Sequence, residues 1–511
     1  MDGTASPVSR GGPVGQGGVM AEHLPNLAIA LALMALLVVL ADAFAAPRGR
    51  DWLPVRSLAG TAVLLLAASV VFGLLLIVTG APLVSAAGAA ILVAALSLIS
   101  NIKRKVLGEP LVISDLALIG ALFRHPQFYL SAVRPGQMVV LAGALGGLGV
   151  TLALLSTTAL ASRLAGVMLV LVAGVGLALA LGHVRRIGFA TVPDPEADVA
   201  RLGLTACLLG HWSAWRATGD PPACTAAPIS GRSGQLVVIV QCESFTDPAL
   251  LLGDPALTLP GLERARSLAW QAGRLMVSGF GAYTMRTEYG VLFGRAEDQL
   301  GMRRFDPFLT ARGEASWALP NRIERGDWAS WFVHPHDMRF YGREALMPAC
   351  GFGALVGEES FRPPAPGEGR YVTDAAITDR ILELAQDPAR AGLIYAVTIE
   401  NHGPWPADDR GGAAGAGSYL RLLAHSDAML ARLLDELPRL GRPVTLCFFG
   451  DHRPSIPGAS EPGTERHTPY VLVRFAADGS PIQSAGVEVD LTPAALHHAI
   501  LAAIRLGEAE G

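Results

Sequence analysis

Residues 237–245 read VVIVQCESF. Val237 to Val240 are all β-branched, so the run reads as a strand. It is apolar at every position instead of alternating, the pattern of a strand covered on both faces, as in parallel sheets. The run stops at Gln241, Cys242 and a carboxylate, Glu243. Glu243 is either a residue that caps the next element, or a group at the carboxyl end of a parallel strand. Open α/β sheets hold their ligands at those ends.

Similar runs follow at LIYAVTI (393–399), VTLCFF (444–449) and YVLVRF (470–475), with helical patterns at 373–386 and 418–436 between them. Apolar strands separated by helices predict a mostly parallel sheet with helices on both faces. There is no internal repeat and no GxGxxG or GxxxxGK[ST] phosphate loop.

The chain has 511 residues, of which 51% are hydrophobic and 16% charged. A soluble chain carries about 25% charged residues. The deficit lies in the first 185 residues, where apolar segments run approximately 26–46, 57–79, 82–99, 137–156 and 164–182. Each is near the roughly 20 residues that a spanning helix needs. The expected organisation is a disordered Gly/Ser-rich start (1–23), a five-span membrane domain (24–186), a Trp-bearing interfacial linker (187–233) and one large soluble domain (234–511). Ala43-Phe44-Ala45 mimics a signal-peptidase site, and cleavage there would leave four spans. The formal net charge of -4 without a basic stripe argues against nucleic acid. The five cysteines are scattered, which is neither a disulfide framework nor a zinc-finger spacing. Cys207 and Cys224 could bridge across the linker. Cys242 and Cys447 read as core residues.

With a cytoplasmic amino terminus, five spans put the soluble domain outside. The segments then left outside carry Arg48, Arg50, Arg56, Lys103, Arg104, Lys105, Arg124 and Arg134. The inside segments offer little beyond Arg10 and Arg163, so the Lys/Arg distribution favours the opposite orientation.

Each strand run ends in chemistry. Glu243 follows the first, Asn401 and His402 (ENHGPW) the second, and Asp451 and His452 (GDHRP) the third; His467 (ERHTPY) precedes the fourth. Strand ends in a parallel sheet converge on one edge. Glu, Asp and His together suit a divalent cation. Between the first two runs, VSGFGAYTMRTEYGVLFG presents Thr284 and Thr287 before a helical pattern. A hydroxyl at a helix amino terminus beside a cation can serve as a nucleophile. The competing reading is an N-cap Thr followed by Glu288 as a capping partner.

In this order, CESF, the Gly-Thr loop with T-x-x-x-E, NHGPW and GDH, placed after membrane spans, resemble the lipoteichoic acid synthase and phosphoglycerol transferase family of the alkaline phosphatase–sulfatase superfamily. KVLGEPLVISDL (105–116) is similar to that family as well, and the resemblance runs from about residue 100 onward. It implies a sulfatase-like α/β domain outside the cytoplasmic membrane of a bacterium, against the Lys/Arg distribution. It implies a divalent metal, manganese foremost with magnesium or zinc as alternatives, held by Glu243, Thr284, Asp451 and His452. Thr284 would be the nucleophile, since it stands four residues before Glu288. His334, Tyr341, Arg343 and His402 would bind substrate, and His467 would lie near the metal. Phosphatidylglycerol would be the donor and an envelope glycan the acceptor. Tyr283 and Arg286 depart from the Lys and Asp of the gram-positive synthases, and Tyr341 stands where Trp is common; these changes bear on the acceptor. A phosphoethanolamine transferase, a sulfatase-like hydrolase and a non-catalytic membrane scaffold are the rival readings. T-M-R-T lacks the C/S-x-P-x-R setting from which sulfatases make formylglycine.

Overall fold

The computed structural model describes residues 16–48, 56–115, 143, 147, 150, 154–188, 193–219, 222–230, 234–324, 328–365, 369–386, 391–406, 415–483 and 488–509. The chain divides into two compact units. The first comprises Met1–Ile102, Pro110–Ala190 and Asp194–Ala214; the second comprises Lys103–Glu109, Thr191–Pro193 and Trp215–Gly511.

The first unit is helical. Its main helices are α1 (Gln16–Ala43), α2 (Leu58–Thr79), α3 (Pro82–Leu107) and α4 (Leu160–Gly188). Each is long and apolar enough to cross a membrane. Four spans are thus found among the described residues, where the sequence suggested five. The remaining candidate, 137–156, lies outside them except for isolated positions. Ser57 caps α2 by accepting from the Gly60 N–H at 3.1 Å, and Gly80 closes it in the left-handed region. Gly73 on α2 faces Gly166 on α4 so closely that a Cβ on either would meet the other's carbonyl oxygen. Small residues permit this backbone approach where lipid supplies no hydrophobic drive between helices. The linker stretch forms two short helices, α5 (Pro195–Leu202) and α6 (Leu204–Ala217). All five cysteines are free.

The second unit is a seven-stranded sheet between two helical layers. Its strands are β1 (Leu236–Cys242), β2 (Gln271–Met276), β3 (Trp328–Val333), β4 (Ala354–Val356), β5 (Ala391–Val397), β6 (Val444–Gly450) and β7 (His467–Phe475), in the order β2-β7-β6-β1-β5-β3-β4. The strands β6, β1, β5, β3 and β4 are mutually parallel. β7 runs antiparallel to β6, and β2 antiparallel to β7. YVLVRF therefore departs from the parallel expectation. A parallel return requires a crossover of a dozen or more residues, usually a helix. The chain from Asp451 to Arg466 forms no helix and turns straight back into β7. β2 (QAGRLM) was not legible in the sequence, because an edge strand with Gly273 and Arg274 lacks the apolar run of a covered one.

Alternate residues of β1 enter opposite cores. Val237 and Ile239 pack with Tyr289 and Phe293 of α7 (Thr284–Phe293) and with Leu496 and Ile500 of α11 (Pro493–Ala509). Leu236, Val238 and Val240 pack with Ile377 and Ile381 of α9 (Asp374–Leu384) and with Leu430 and Leu433 of α10 (Ala416–Glu436). A further helix, α8 (Arg343–Ala349), follows β3. Each fully buried aliphatic side chain contributes roughly 1.5–3 kcal/mol. That explains why β1 is apolar on both faces.

Gly450 ends β6 where the Ser244–Phe245 turn crosses it, and a Cβ there would run into the Phe245 carbonyl oxygen. Backbone cannot give way as a flexible side chain can. Gly450→Ala is expected to destabilise the protein by roughly 3 kcal/mol or more, measured as a lowered unfolding midpoint; an unchanged midpoint would show that the turn moves freely.

Candidate metal and nucleophile site

β1 and β6 are neighbouring parallel strands with Cys242 in register with Gly450. The next residue on each is a carboxylate, Glu243 and Asp451. Adjacent strands lie about 4.8 Å apart, so register alone brings the two acids together at the carboxyl edge. His452 follows on the same loop. The ligand atoms of Glu243, Asp451 and His452 all lie within 4.8 Å of one another, and all three residues are buried.

Local hydrogen bonds aim these groups. Ser244 takes a left-handed conformation (φ 52°), and its carbonyl accepts from the Tyr419 hydroxyl at 2.9 Å. The Ser244 hydroxyl donates to Glu243 Oε1 at 2.8 Å, and the Glu243 N–H donates to the Thr398 hydroxyl at 3.0 Å. Asp451 Oδ1 accepts from the backbone N–H groups of Ser244 and His452, both at 2.8 Å. Asp451 Oδ2 is buried and has no hydrogen-bond partner among the described residues. A buried charged oxygen left unpaired is costly. Nδ1 of His452 lies 3.2 Å from the Arg453 carbonyl, which only a protonated nitrogen satisfies. The lone pair is thereby assigned to Nε2, which lies 3.4 Å from Asp451 Oδ2 and 3.6 Å from Glu243 Oε1. Two carboxylates, an imidazole lone pair and an orphaned oxygen facing one another fit a divalent cation.

Thr284 is the first residue of α7 and is half-buried. Its Oγ lies 3.4 Å from His452 Nε2. Tyr283 precedes it at φ 75°, a conformation uncommon for a residue with a side chain. The turn is tied to the Asp451 loop by the Thr287 hydroxyl, which donates to the Asp451 carbonyl at 2.7 Å, and by the Gly281 N–H, which donates to the Arg453 carbonyl at 2.8 Å. The N-cap position of α7 is Tyr283, which makes no side-chain capping bond, so Thr284 is not the cap. Glu288, completely buried, is not a capping-box partner either; it holds Arg343, with Oε1 3.0 Å from Nε and Oε2 against Nη2. Burial opposes the charge on Arg343, and the Glu288 carboxylate outweighs it, so the guanidinium is held more firmly protonated than usual. Tyr341 lies 5.2 Å from that guanidinium.

Beside this pair runs a row of rings. His334 and His336 are 6.0 Å apart, His336 and Tyr371 are 6.1 Å apart, and Tyr371 and His402 are 5.8 Å apart. The guanidinium of Arg370 stands 5.0 Å from the Tyr371 ring. His334 Nδ1 donates to the Val397 carbonyl at 3.0 Å, leaving Nε2 as an acceptor. Burial, with Arg343 nearby, lowers its pKa well below the ordinary value, so the ring is neutral at pH 7. His467 opens β7, and its Nε2 accepts from Arg453 Nη2 at 2.9 Å. It lines a cleft of about 550 Å³ with Thr246, Arg274 and Glu488, and it is not one of the three groups that converge at Glu243, Asp451 and His452.

The structure thus brings Glu243, Thr284, Asp451 and His452 together; Arg343, Tyr341 and His402 lie near enough to interact with their carboxylates, and Glu288 and His334 neighbour Arg343. Sequence reasoning missed Ser244, His336, Arg370 and Tyr371. His336 had a signal, a second imidazole two residues from His334; Tyr371 had none.

The Sulfatase family matches residues 235–499, just over half of the chain, and the chain belongs to that family. It is 34% identical over 251 residues to the capsular polysaccharide biosynthesis protein RkpI of Rhizobium meliloti (strain 1021), a match covering 48% of this chain and 46% of that one. A putative cyclic beta-1,2-glucan modification protein of the same organism is 25% identical over 236 residues, covering 43% of this chain and 36% of its own. The chain therefore spans less than half the length of each relative. Among solved structures, Streptococcus pyogenes phosphoglycerol transferase GacH in complex with sn-glycerol-1-phosphate is similar at 18% identity and a TM-score of 0.43, covering 53% of this chain and 74% of its own.

Burial, reinforced by Asp451, raises the Glu243 pKa to about 8. An unfolded glutamate titrates near ~4.3. Between those values the metal-free native state holds a proton that the unfolded state has lost. Its stability therefore falls as pH rises through that window, and cation binding must expel the proton. Calorimetry of manganese binding at pH 7, in buffers of different ionisation enthalpy, is expected to show release of about one proton per ion, vanishing by about pH 9. Buffer-independent heats at pH 7 would contradict this.

Proposed function

We propose that this chain is a membrane-anchored, metal-dependent phosphoglycerol transferase. It would move glycerol phosphate from phosphatidylglycerol to an envelope glycan through a phospho-threonine intermediate. The observation that carries the reading is the Thr284 hydroxyl, half-buried at a helix amino terminus and 3.4 Å from Nε2 of His452 within the acid–imidazole cluster. Such an oxygen suits a nucleophile for a tetrahedral anionic centre. A divalent cation at Glu243, Asp451, His452 and Thr284, manganese by resemblance, would supply Lewis-acid activation and offset charge on the phosphoryl oxygens.

The chain's own groups do the rest. Thr284 Oγ attacks phosphorus and gives up its proton. The bond from phosphorus to the diacylglycerol oxygen breaks, and that oxygen takes up a proton. Arg343, fixed by Glu288, faces the site with a pre-set positive charge that favours the phosphoryl oxygens in the transition state. An acceptor hydroxyl then attacks phosphorus and gives up its proton, the bond from phosphorus to Thr284 Oγ breaks, and that oxygen takes up a proton, which restores the hydroxyl and gives ping-pong kinetics.

The headgroup wall supports glycerol over ethanolamine. An ammonium headgroup calls for a carboxylate, whereas among the described residues this wall presents His334, His336, His402, Arg370 and Tyr371. Asp337, next to His336, is held by Arg339 at 2.8–3.2 Å. His334 Nε2 is an acceptor for a glycerol hydroxyl. A glycan acceptor is supported by the polysaccharide and glucan roles in the names of the two relatives. Four apolar helices suit a lipid donor, and the inner membrane with an extracytoplasmic domain is the setting that the resemblance implies.

Intact-mass analysis of the full chain with phosphatidylglycerol and manganese tests the reading. Wild type is expected to gain one glycerophosphate and release diacylglycerol, and Thr284→Ala to do neither. An adduct from phosphatidylethanolamine alone would reassign the donor. A folded, metal-loaded protein that forms no adduct and releases no diacylglycerol would favour a binding role.

A further inference from the structure

We infer that Glu109 is a positioning residue for Thr284, and that residues 103–109 are a strap clamping the nucleophile-bearing turn through Arg286. This rests on the reading of Thr284 as the nucleophile. Glu109 and Arg286 form a two-point ion pair, Oε2 to Nη1 at 2.8 Å and Oε1 to Nη2 at 3.0 Å. Their side chains are 10% and 2% exposed. A pair so far from water holds its geometry far better than a surface pair. The Arg286 guanidinium lies 3.9 Å from the centroid of the Tyr283 ring, and Lys103 Nζ lies 5.4 Å from that centroid and 3.1 Å from Glu109 Oε1. The clamp thus grips both residues that flank Met285 and Thr284. Tyr283 is also the residue held at φ 75°, a conformation that persists only where its surroundings over-determine it.

The strap touches the other site loop as well. The Ser455 hydroxyl donates to the Val106 carbonyl at 3.0 Å, and Arg466 Nη2 donates to the Gly108 carbonyl at 3.1 Å. Arg466 also donates from Nη1 to the Ser278 carbonyl at 2.8 Å, just before the Gly-Thr loop. Gly108 has φ +70°, and a Cβ there would strike Arg466 and Pro462, so the approach needs glycine. The strap is therefore bonded to both loops that carry the site, those of Thr284 and of Asp451–His452. A general structural ion pair would have no reason to select these two.

The test uses the full chain in phosphatidylglycerol nanodiscs with manganese, comparing wild type, Glu109→Gln, Glu109→Asp and Thr284→Ala. Diacylglycerol release gives kcat and KM, and amide hydrogen exchange is read at 283–288 and in β1. A displacement near 1 Å can cost about a hundredfold in rate. Glu109→Gln is expected to lower kcat by roughly tenfold to a hundredfold, with KM within about twofold. Exchange should quicken at 283–288 and not in β1, and Glu109→Asp should recover part of both. Unchanged kcat and exchange would overturn the inference, as would exchange rising equally in β1. If Glu109→Gln does not fold, Glu109→Asp carries the same comparison. Turnover in Thr284→Ala would overturn the functional reading instead; exchange at 283–288 then decides the clamp by itself.

Discussion

Two carboxylates leave adjacent parallel strands at the same level and cannot avoid each other. Cys242 and Gly450 are register partners, so Glu243 and Asp451 emerge side by side into a buried edge. Like charges in a low-dielectric setting repel strongly, and burial disfavours each separately. The molecule can neutralise them by a proton, which is why the Glu243 pKa is raised, or by a cation, which the orphaned Asp451 Oδ2 and the lone pair of His452 both favour. Ser244 in its left-handed turn, Gly450 beneath it and the Tyr419 hydroxyl maintain an arrangement that electrostatics alone would push apart.

Thr284 sits against that cluster, and the start of α7 is pinned on three sides. Arg286 is paired with Glu109, Thr287 donates to the Asp451 carbonyl, and Glu288 is paired with Arg343. Successive residues of an α-helix project about 100° apart, so three consecutive side chains reach three different neighbours. The Glu288–Arg343 pair does two jobs. It fixes the helix, and it stations the Arg343 guanidinium beside Tyr341 and His334.

Much of the frame was legible because it depends on local pattern. The run VVIVQ had to be a covered strand, and Glu243, Asp451 and His452 had to fall at strand ends, once the strands were parallel. Four of the apolar segments are spanning-length helices. The direction of β7 was not legible, because it depends on whether the Asp451–Arg466 connection crosses the sheet. Edge strand β2, with a glycine and an arginine inside it, gives no periodic signal. Glu288 read locally as a capping partner four residues after Thr284, yet its charge is matched by Arg343, 55 positions away.

By itself, then, the sequence determined what depends on neighbours along the chain: apolar periodicity, where covered strands stop, and which acid, imidazole and hydroxyl groups stand at those stops. Only the tertiary structure decided which partner each buried charge found. It turned His467 toward Arg453, joined Glu288 to Arg343, and brought Glu109 to Arg286 across 177 residues of chain. A buried charge must be matched by whatever opposite group the fold delivers to it, and a linear pattern carries no record of that distance in space.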